Sequence, residues 1–436
     1  MISQNRISQS DQSVPNGEGV DLVIIGLGYV GLPLAQAAAN SGLNVVGLDL
    51  DQRVVEGLNA GRSHIDDLSD AEIAAIRERG FAATTDASVI GRAKSVVICV
   101  PTPLTEHGAP DLGAVEGAVG AVAAHLRPGM LVVLESTTYP GTTDEVVRPA
   151  LEAGGLVAGV DFHLAFSPER IDPGNPVYGL SNTPKVVGGH TAACSKAARA
   201  MYEAFVGEVV EAKGTREAEM AKLLENTYRH VNIALVNEMA MFCREIGVDL
   251  WDAINCAATK PFGFSAFYPG PGVGGHCIPI DPNYLSYKVK SLGIPFRFVE
   301  LAQEINQRMP VYVVQRAMEL LNEAGLALRG ARVLLTGITY KPDIADQRET
   351  PVIAVLRELR RLGAQAVYFD PHVDEWIVDG EPVERTTDLL AAAADADLTV
   401  LLQAHSSIDT VQLANTATRM LDTRGTTRGH GTAVQL

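Results

Sequence analysis

Hydrophobic positions along the chain cluster in short runs, and polar or alanine-rich stretches separate these runs. Short apolar runs without helical spacing are typical of strands that are buried on both faces of a sheet. We therefore predict strands at residues 21–25, 44–48, 95–100, 130–134, 163–166, 185–187, 331–337, 365–370 and 397–402. A helix is predicted at 32–41, and alanine-rich helical segments lie between several strands. Because strands that alternate with helices form parallel sheets, the pattern predicts an α/β fold.

The pattern changes near residue 215. Residues 217–246 contain neither Pro nor Gly and carry apolar residues at helical spacing, which predicts one long helix. A Gly- and Pro-rich loop at 269–282 interrupts the helical region, and a second alternating region starts after residue 330. We predict two Rossmann-like doubly wound domains joined by a long central helix and a helical middle domain. Their boundaries are 20–214, 215–325 and 326–436, after a disordered tail at 1–19.

Composition narrows the class of protein. Among 436 residues, 52 acidic and 35 basic side chains give a net charge of −17, which argues against a nucleic-acid partner. No run of about 18 apolar residues predicts a membrane span. The five cysteines form no CxxC pair and no metal-ligand spacing, so we expect a reducing, cytoplasmic protein without a metal site. They are Cys99, Cys194, Cys243, Cys256 and Cys277.

A glycine-rich turn follows the first predicted strand and opens the first helix. In this GLGYVG segment, Gly26 permits a tight turn, Gly28 lets a pyrophosphate approach the backbone, and Gly31 lets helix and strand pack closely. Asp49 ends the second strand, where a carboxylate can accept hydrogen bonds from the ribose hydroxyls of NAD. The same carboxylate would repel the 2′-phosphate of NADP, although Arg53 nearby could accommodate one.

Several polar residues are candidates for chemistry. Cys277 lies in a glycine-flanked loop (GGHCIPID), where a thiol is as consistent with a function as with a structural role. Lys222 and Asn226 share one face of the long helix, which on spacing alone is more typical of a solvated face than of a site. Glu169 follows a strand, at the edge where ligands bind in open α/β sheets. The hydroxyls of Thr102 and Thr137 lie at similar strand ends, although they could instead cap helices.

Two cations follow the first strand of the C-terminal region. Lys341 and Arg348 suit a phosphate or pyrophosphate, with a surface ion pair as the alternative.

In chain order, the motifs GLGYVGLP at Gly26, VPTP at Val100, STTYPGTT at Ser136 and SPER at Ser167 are followed by EAEMAKLLENTYR, GGHCIPIDP and GITYKPDIADQRETP. Across about residues 20–425 the sequence resembles the UDP-glucose/GDP-mannose dehydrogenase family. The resemblance implies a four-electron oxidation of a sugar C6 alcohol that uses two NAD. It implies a homodimer or a higher homo-oligomer, with the long helix in the dimer core.

The resemblance also implies roles for individual residues. Cys277 would be the nucleophile, Lys222 and Asn226 would stabilise an oxyanion, and Asp281 would position water or accept a proton. Thr137 and Glu169 match polar residues that serve hydrolysis. The further cofactor contacts are Tyr29, Val30, Arg53, Thr102, Thr137 and Arg348, beside Gly26, Gly28, Gly31 and Asp49. The substrate contacts are Glu169, Arg170, Lys222, Asn226, Phe267, Tyr268, Gly274 and Lys341.

The sugar is predicted from two motifs. UDP-glucose enzymes carry a second acidic residue where Pro173 stands in this chain, and GGHCIPIDPxYL resembles the branch that acts on UDP-N-acetylhexosamines. We favour UDP-N-acetylglucosamine, for surface polysaccharide biosynthesis, over UDP-N-acetylmannosamine, UDP-N-acetylgalactosamine and UDP-glucose. A one-step NAD hydroxyacid dehydrogenase and a non-catalytic NAD sensor are more distant alternatives, and neither needs Cys277.

Overall fold

The computed structural model describes residues 19–65, 67–105, 109–170, 177–275, 278–427 and 430–436. The chain divides into two compact units, Met1–Leu224 and Glu225–Leu436. The predicted tail at 1–19 lies almost entirely outside the described residues. Among the helices that the structure describes, none is both long and apolar enough to cross a membrane.

An eight-stranded sheet forms the centre of the first unit, in the order β3-β2-β1-β4-β5-β6-β7-β8. Its central strand is buried on both faces: Leu22 and Ile24 pack in one hydrophobic cluster, and Val23 and Ile25 pack in the other. The strands are β1 Val20–Ile25, β2 Val45–Leu48, β3 Ala82–Thr84, β4 Ala93–Ile98, β5 Leu131–Leu134, β6 His163–Phe166, β7 Lys185–Gly189 and β8 Val209–Glu211.

Helices cover both faces of this sheet, and several begin at a polar cap. Asp51 and Thr191 each accept a backbone N–H at the start of a helix, and Ser69 forms a capping box with Glu72. The helices are α1 Gly31–Asn40, α2 Gln52–Asn59, α3 Asp70–Glu78, α4 Gly113–His125, α5 Arg148–Glu152 and α6 Ala192–Tyr202. A 3-10 helix, Ala87–Arg92, and a π-helical turn, Thr143–Val147, complete the set for the described residues.

One pairing in this sheet departs from the parallel pattern that the sequence predicts. β7 runs antiparallel to β6, with Phe166 opposite Gly188 and Ala165 opposite Gly189. The other neighbouring strands pair in parallel. No helix lies between β6 and β7 among the described residues, so no crossover forces the parallel arrangement. The antiparallel strand begins at the edge where β6 ends.

The long helix that the sequence predicts is present as α7, Thr215–Glu245, and the division between the two units falls within it. The second unit continues with α8 Leu250–Ala258, α9 Asp281–Ser291 and α10 Arg297–Glu323, which contains Pro310 in its interior. Apolar side chains of the unit's part of α7, of α10 and of α11 (Val352–Leu362) share one hydrophobic cluster.

A six-stranded parallel sheet completes the second unit, in the order β13-β10-β9-β14-β15-β16. Its strands are β9 Arg332–Thr336, β10 Gln365–Phe369, β13 Glu384–Arg385, β14 Leu398–Leu401, β15 Met420–Asp422 and β16 Ala433–Gln435, beside the hairpin of β11 Ile377–Val378 and β12 Glu381–Pro382. The helices α12 Leu389–Asp395 and α13 Thr410–Thr416 lie between its later strands. The polar stretch 424–436, to which the sequence suggests no role, supplies β16.

Both sheets repeat one local arrangement at the end of their first strand. Gly26 and Gly337 have positive φ values of 89° and 75°, which favour glycine, and each donates its N–H to the last residue of the neighbouring strand. The next residue donates to the carboxylate that follows that strand: Leu27 to Asp49 at 2.9 Å, and Ile338 to Asp370 at 2.7 Å. The two Rossmann-like units are therefore built on one plan, as the predicted fold class requires.

Candidate active site

The glycine-rich turn between β1 and α1 has the geometry of a dinucleotide site. A Cβ on Gly26 would lie 2.8 Å from the carbonyl oxygen of Cys99, and one on Gly31 would lie 1.9 Å from that of Gly26. A Cβ on Gly28 would meet no atom within 4 Å, so the backbone there is open to a ligand. α1 has no side-chain cap and no acidic residue in its first turn, which leaves its N-terminus suited to an anion. The intervening Tyr29 and Val30 are partly buried.

Asp49 and Arg53 differ in whether their charged groups are available to a cofactor. Asp49 follows β2 and accepts N–H groups from Leu27 and Asp51, and its carboxylate remains partly exposed. The guanidinium of Arg53 forms a two-point pair with Asp51, and its hydrogen bonds lower the pKa of Asp51 to about 2. Because Asp51 offsets the charge of Arg53, this guanidinium is poorly suited to hold the 2′-phosphate of NADP.

The strand-end loops of the first unit are tied together by side-chain hydroxyls. Thr102 Oγ1 donates to the Thr137 carbonyl at 2.7 Å, and Ser136 Oγ donates to the Val100 carbonyl at 2.7 Å. The buried ammonium of Lys222 donates to Thr137 Oγ1. The structure thus brings together two of the residues to which the resemblance gives catalytic roles.

Glu219 is a residue that the sequence analysis missed. One turn before Lys222 on α7, it accepts the N–H groups of Gly141 and Thr143 at 2.6 and 2.9 Å and the Thr143 hydroxyl at 2.7 Å. Burial raises its pKa to about 7, although these hydrogen bonds act in the opposite direction. Glu219 therefore anchors the loop that carries Thr137 to the helix that carries Lys222.

Glu169 lies in a buried cluster at the same sheet edge. Its two oxygens accept hydrogen bonds from Lys185 Nζ at 3.0 Å and from the Arg170 backbone N–H at 2.7 Å. Lys185 Nζ also lies 3.1 Å from Glu135, and the Arg170 guanidinium donates to the Pro184 carbonyl. Glu135 and Lys185 were not predicted from the sequence.

In the second unit, Asn226 and Asp281 are both buried and form a direct hydrogen bond. Asn226 Nδ2 donates to Asp281 Oδ2 at 2.6 Å, and Asp281 is the first residue of α9. An amide held by a carboxylate has one defined orientation, so its remaining donor has a fixed direction.

Cys277 and its neighbour His276 lie outside the described residues. The loop that leads to them packs closely against Tyr340. A Cβ on Gly274 would lie 2.7 Å from Tyr340 Cβ, and one on Gly275 would lie 2.7 Å from the Tyr340 ring. Tyr340 directly precedes Lys341, so the loop lies beside the segment of chain that carries the predicted substrate lysine.

A cavity of about 500 Å³ in the second unit is lined by residues on both sides of Cys277, namely Val273 and Pro279. Its walls include His230, whose pKa burial lowers to about 4, so that the imidazole is neutral at pH 7. Asn306 contacts His230 and also accepts a hydrogen bond from Asn237 at 2.9 Å.

Other predicted contacts have partners of their own. Tyr268 donates to Asn255 at 2.8 Å, and Phe267 packs edge-on against Tyr228. The Lys341 carbonyl accepts the Thr339 hydroxyl. Arg348 forms a two-point pair with Asp346, which is the ion pair that the sequence left open as an alternative.

Three potential ligand atoms of Asp343, His372 and His405 lie within 4.8 Å of one another among the described residues. His405 Nδ1 already accepts the Asp343 N–H at 3.0 Å, and its Nε2 lies 3.1 Å from Asp370. Both ring nitrogens of His405 thus already have partners within the protein. We therefore interpret this cluster as a set of hydrogen bonds at the end of the second sheet's strands. The expected absence of a metal stays a prediction.

Family models cover most of the chain. Residues 20–206 match the NAD binding domain of the UDP-glucose/GDP-mannose dehydrogenase family, residues 216–308 match its central domain, and residues 334–429 match its UDP binding domain.

Individual relatives match over similar lengths. An NDP-N-acetyl-D-galactosaminuronic acid dehydrogenase of Ralstonia nicotianae is 36% identical over 416 residues, which are 92% of this chain and 95% of the relative. A UDP-N-acetyl-D-glucosamine 6-dehydrogenase of Pseudomonas aeruginosa is 36% identical over 354 residues, 81% of this chain and 83% of the relative. The solved structure of a UDP-D-ManNAc dehydrogenase of Pyrococcus horikoshii, 32% identical, has a TM-score of 0.87 and covers 95% of this chain and 98% of its own.

Proposed function

Because the chain belongs to the UDP-glucose/GDP-mannose dehydrogenase family and is an NAD-dependent nucleotide-sugar dehydrogenase, we propose that it oxidises the C6 alcohol of a UDP-N-acetylhexosamine to a carboxylate. The observation that carries this proposal furthest is the buried Lys222 ammonium hydrogen-bonded to Thr137. A buried cation beside a hydroxyl is suited to stabilise negative charge that develops on a substrate oxygen.

The turn around Gly28 fits NAD, because the backbone there is open and the helix N-terminus is uncapped. Asp49 would accept the ribose hydroxyls, with Tyr29, Val30 and Thr102 beside the phosphates and nicotinamide. When bound, NAD accepts the hydride of each of the two oxidations. Arg348 is proposed as a further phosphate contact, for which it would exchange its pair with Asp346.

Roles in the first unit follow from charge and position. Lys222 would stabilise the alkoxide and later the oxyanion, with Thr137 holding the ammonium in place. Glu169, held by Lys185 and by the Arg170 N–H, would take a proton from the attacking water during hydrolysis. Arg170 would also contact the substrate.

In the second unit, Cys277 would act as the nucleophile and Asn226 would donate to the oxyanion. Asp281 orients Asn226 through their 2.6 Å hydrogen bond and would help to place water. Phe267, Tyr268, Gly274 and Lys341 would contact the nucleotide sugar.

The proposed chemistry proceeds in four balanced steps. The C6 alcohol loses a proton and a hydride to become an aldehyde. The Cys277 thiolate adds to the aldehyde carbon, and the oxyanion of the resulting thiohemiacetal loses a second hydride to become a thioester. Water then adds to the thioester carbonyl, the C–S bond breaks, and the products are a uronate, the free thiolate and two protons.

We propose UDP-N-acetylglucosamine as the sugar. The GGHCIPIDPNYL segment and Pro173 support an N-acetylhexosamine over glucose. Relatives are named for N-acetylglucosamine, N-acetylmannosamine and N-acetylgalactosaminuronic acid, which supports the same class. UDP-N-acetylmannosamine is the next candidate, then UDP-N-acetylgalactosamine and UDP-glucose.

The test counts NADH per sugar. Purified protein is incubated with NAD and each of a panel of UDP- and GDP-sugars, and both NADH and sugar product are measured. We expect two NADH for each uronate formed, with the highest kcat/KM for UDP-N-acetylglucosamine. One NADH per sugar would contradict the two-step reaction, because that ratio is the one expected of a one-step dehydrogenase. No turnover across the panel would favour the sensor.

We also propose that the protein forms a homodimer through α7. Three exposed apolar residues of this helix, Tyr228, Leu235 and Phe242, recur at intervals of seven residues. Residues seven apart share one helix face, and exposed apolar stripes of this kind mark protein interfaces.

A further inference from the structure

We propose that Lys185 and Glu135 are positioning residues for Glu169, and that they set the pH at which Glu169 can act as the base for thioester hydrolysis. This inference rests on the proposed function, in which Glu169 accepts the proton of the attacking water. All of the residues concerned belong to the first unit.

Lys185 reaches Glu169 because of the antiparallel strand. Phe166 of β6 pairs with Gly188 of β7, and continuing this register by three residues brings Glu169 opposite Lys185. A parallel β7 would place its first residue at the far edge of the sheet. The exception in sheet topology therefore delivers an ammonium to the edge where β4, β5 and β6 end.

One ammonium serves two carboxylates in this cluster. Lys185 Nζ lies 3.0 Å from Glu169 Oε2 and 3.1 Å from Glu135 Oε2. The three side chains are 3%, 7% and 0% exposed, in the order Lys185, Glu169, Glu135, so water screens their charges poorly. Each carboxylate thus weakens the hold of Lys185 on the other.

Neutral groups contact Glu135 and Lys185 on the side of Tyr202 and Cys99. The Tyr202 hydroxyl donates to Glu135, the Tyr202 ring lies 5.4 Å from Lys185 Nζ, and Cys99 Sγ lies 3.9 Å from Glu135. Burial, together with Glu135, raises the pKa of both Tyr202 and Cys99, so both stay protonated at neutral pH. Among the described residues, Arg170 is a further charged neighbour: its backbone N–H binds Glu169, and its guanidinium donates to the Pro184 carbonyl.

The charges indicate which group holds a proton. Burial alone would lower the pKa of Lys185, but its attraction to Glu135 and Glu169 outweighs burial and raises that pKa. Burial raises the pKa of Glu135, and repulsion by Glu169 adds to this, while Lys185 opposes it. Lys185 is consequently a permanent cation, and Glu135 is the carboxylate that competes with Glu169 for it.

Hydrolysis uses this arrangement directly. Water gives its hydroxyl to the thioester carbon and its proton to Glu169, the C–S bond breaks, and Cys277 leaves as a thiolate. The uronic acid then releases its own proton to solvent. Glu169 must be ionised beforehand, so the acidic limb of the hydrolysis rate follows its ionisation.

The test uses two variants that should move this limb in opposite directions. In Glu135→Gln, Lys185 is no longer shared, and the midpoint of the acidic limb should fall by about one pH unit. In Lys185→Met, two carboxylates face each other without a cation, and the midpoint should rise by about one pH unit or more. Lys185→Arg keeps the charge and should restore the wild-type midpoint to within a few tenths of a unit.

The measurement is NADH release after rapid mixing at a series of pH values. If hydrolysis is slow, a burst of two NADH per active site precedes a steady phase. The rate of the steady phase, plotted against pH, gives the midpoint of the acidic limb. Controls are Lys94→Met and Glu203→Gln, which remove exposed members of the surface pairs with Asp21 and Arg199. Both should keep the wild-type midpoint.

Three results are decisive. Opposite shifts in the two variants support the proposal, because a merely structural defect would lower rates without that sign difference. Unchanged midpoints, or shifts in one direction, overturn it while leaving the proposed function intact. If Lys185→Met does not fold, Glu135→Gln decides alone. A wild-type protein that fails to release two NADH per sugar overturns the proposed function, and the role of Glu169 with it.

Discussion

At the scale of single residues, the two charged side chains that are proposed to react in the first unit each have a hydrogen-bonding partner that holds them in place. Lys222 and Glu169 are each held by such a partner: the partly buried Thr137 for the ammonium and the buried Lys185 for the carboxylate. A side chain fixed in this way loses little conformational entropy when a substrate binds. We therefore expect that removing such a partner lowers the rate even though the reacting group itself is retained.

Cys277→Ser is expected to abolish uronate formation, because a hydroxyl at neutral pH is a far weaker nucleophile than a thiolate. NAD binding should be unchanged, since the dinucleotide turn belongs to the other unit of the chain. Uronate production and NAD affinity are measured on the same preparation, with Cys256→Ser, an exposed thiol, as the matched control. Wild-type turnover in Cys277→Ser would show that this thiol is not the nucleophile.

At the scale of elements, one buried carboxylate links a helix to a loop. Glu219 on α7 holds the loop of Gly141 and Thr143 through three hydrogen bonds. Because its pKa in the folded protein is about 7, above the ordinary 4.5, the folded state binds this proton more tightly than the unfolded state. Its contribution to stability is present at low pH and is lost as pH rises from about 4.5 to about 7.

Glu219→Gln removes this titration while keeping the shape of the side chain. We expect the free energy of unfolding of the wild type, relative to the variant, to fall by at most about 3 kcal/mol between pH 4.5 and pH 7. Urea unfolding at several pH values measures the difference, and Glu203→Gln serves as the exposed control. A difference that is constant with pH, or that grows, would contradict the pKa of Glu219.

The sequence predicts what is local in the chain and misses what depends on topology. The turn at Gly26 and the acid at Asp49 are recognisable because each lies at a strand end that the hydrophobic pattern marks. Lys222 and Asn226 are recognisable as one helix face. In contrast, Lys185 is 16 residues from Glu169 and Glu219 is 78 residues from Gly141, so their contacts depend on strand direction and helix packing.

Short strands were also missed, for a physical reason. β3, β8 and β15 have three residues each, too few to show a hydrophobic period. The three predicted domain boundaries remain a proposal, because the chain divides into two units within α7. The family models independently cover three regions of it.

At the scale of the whole molecule, the proposed dimer depends on the stripe of Tyr228, Leu235 and Phe242 on α7. Phe242→Asp places a charge on this stripe, and burying an unpaired carboxylate in an interface is costly. We expect the dissociation constant of the dimer to rise at least about tenfold, which is a change of about 1.4 kcal/mol.

Sedimentation velocity across a concentration series measures this change. Val160→Asp makes the same kind of substitution at an exposed apolar residue in a loop of the first unit and should leave the dimer intact. Equal association of both variants and the wild type would exclude the stripe as the interface.

The turn that follows the first strand of each sheet is repeated, but the carboxylate beside it differs in exposure between the two sheets. Asp49 is partly exposed and can still reach a bound sugar, whereas Asp370 is fully buried and is engaged by His405. The carboxylate at this position is thus accessible in the first sheet and occupied within the protein in the second. The two sheets share the frame of a dinucleotide turn, but they do not offer equivalent sites to a ligand.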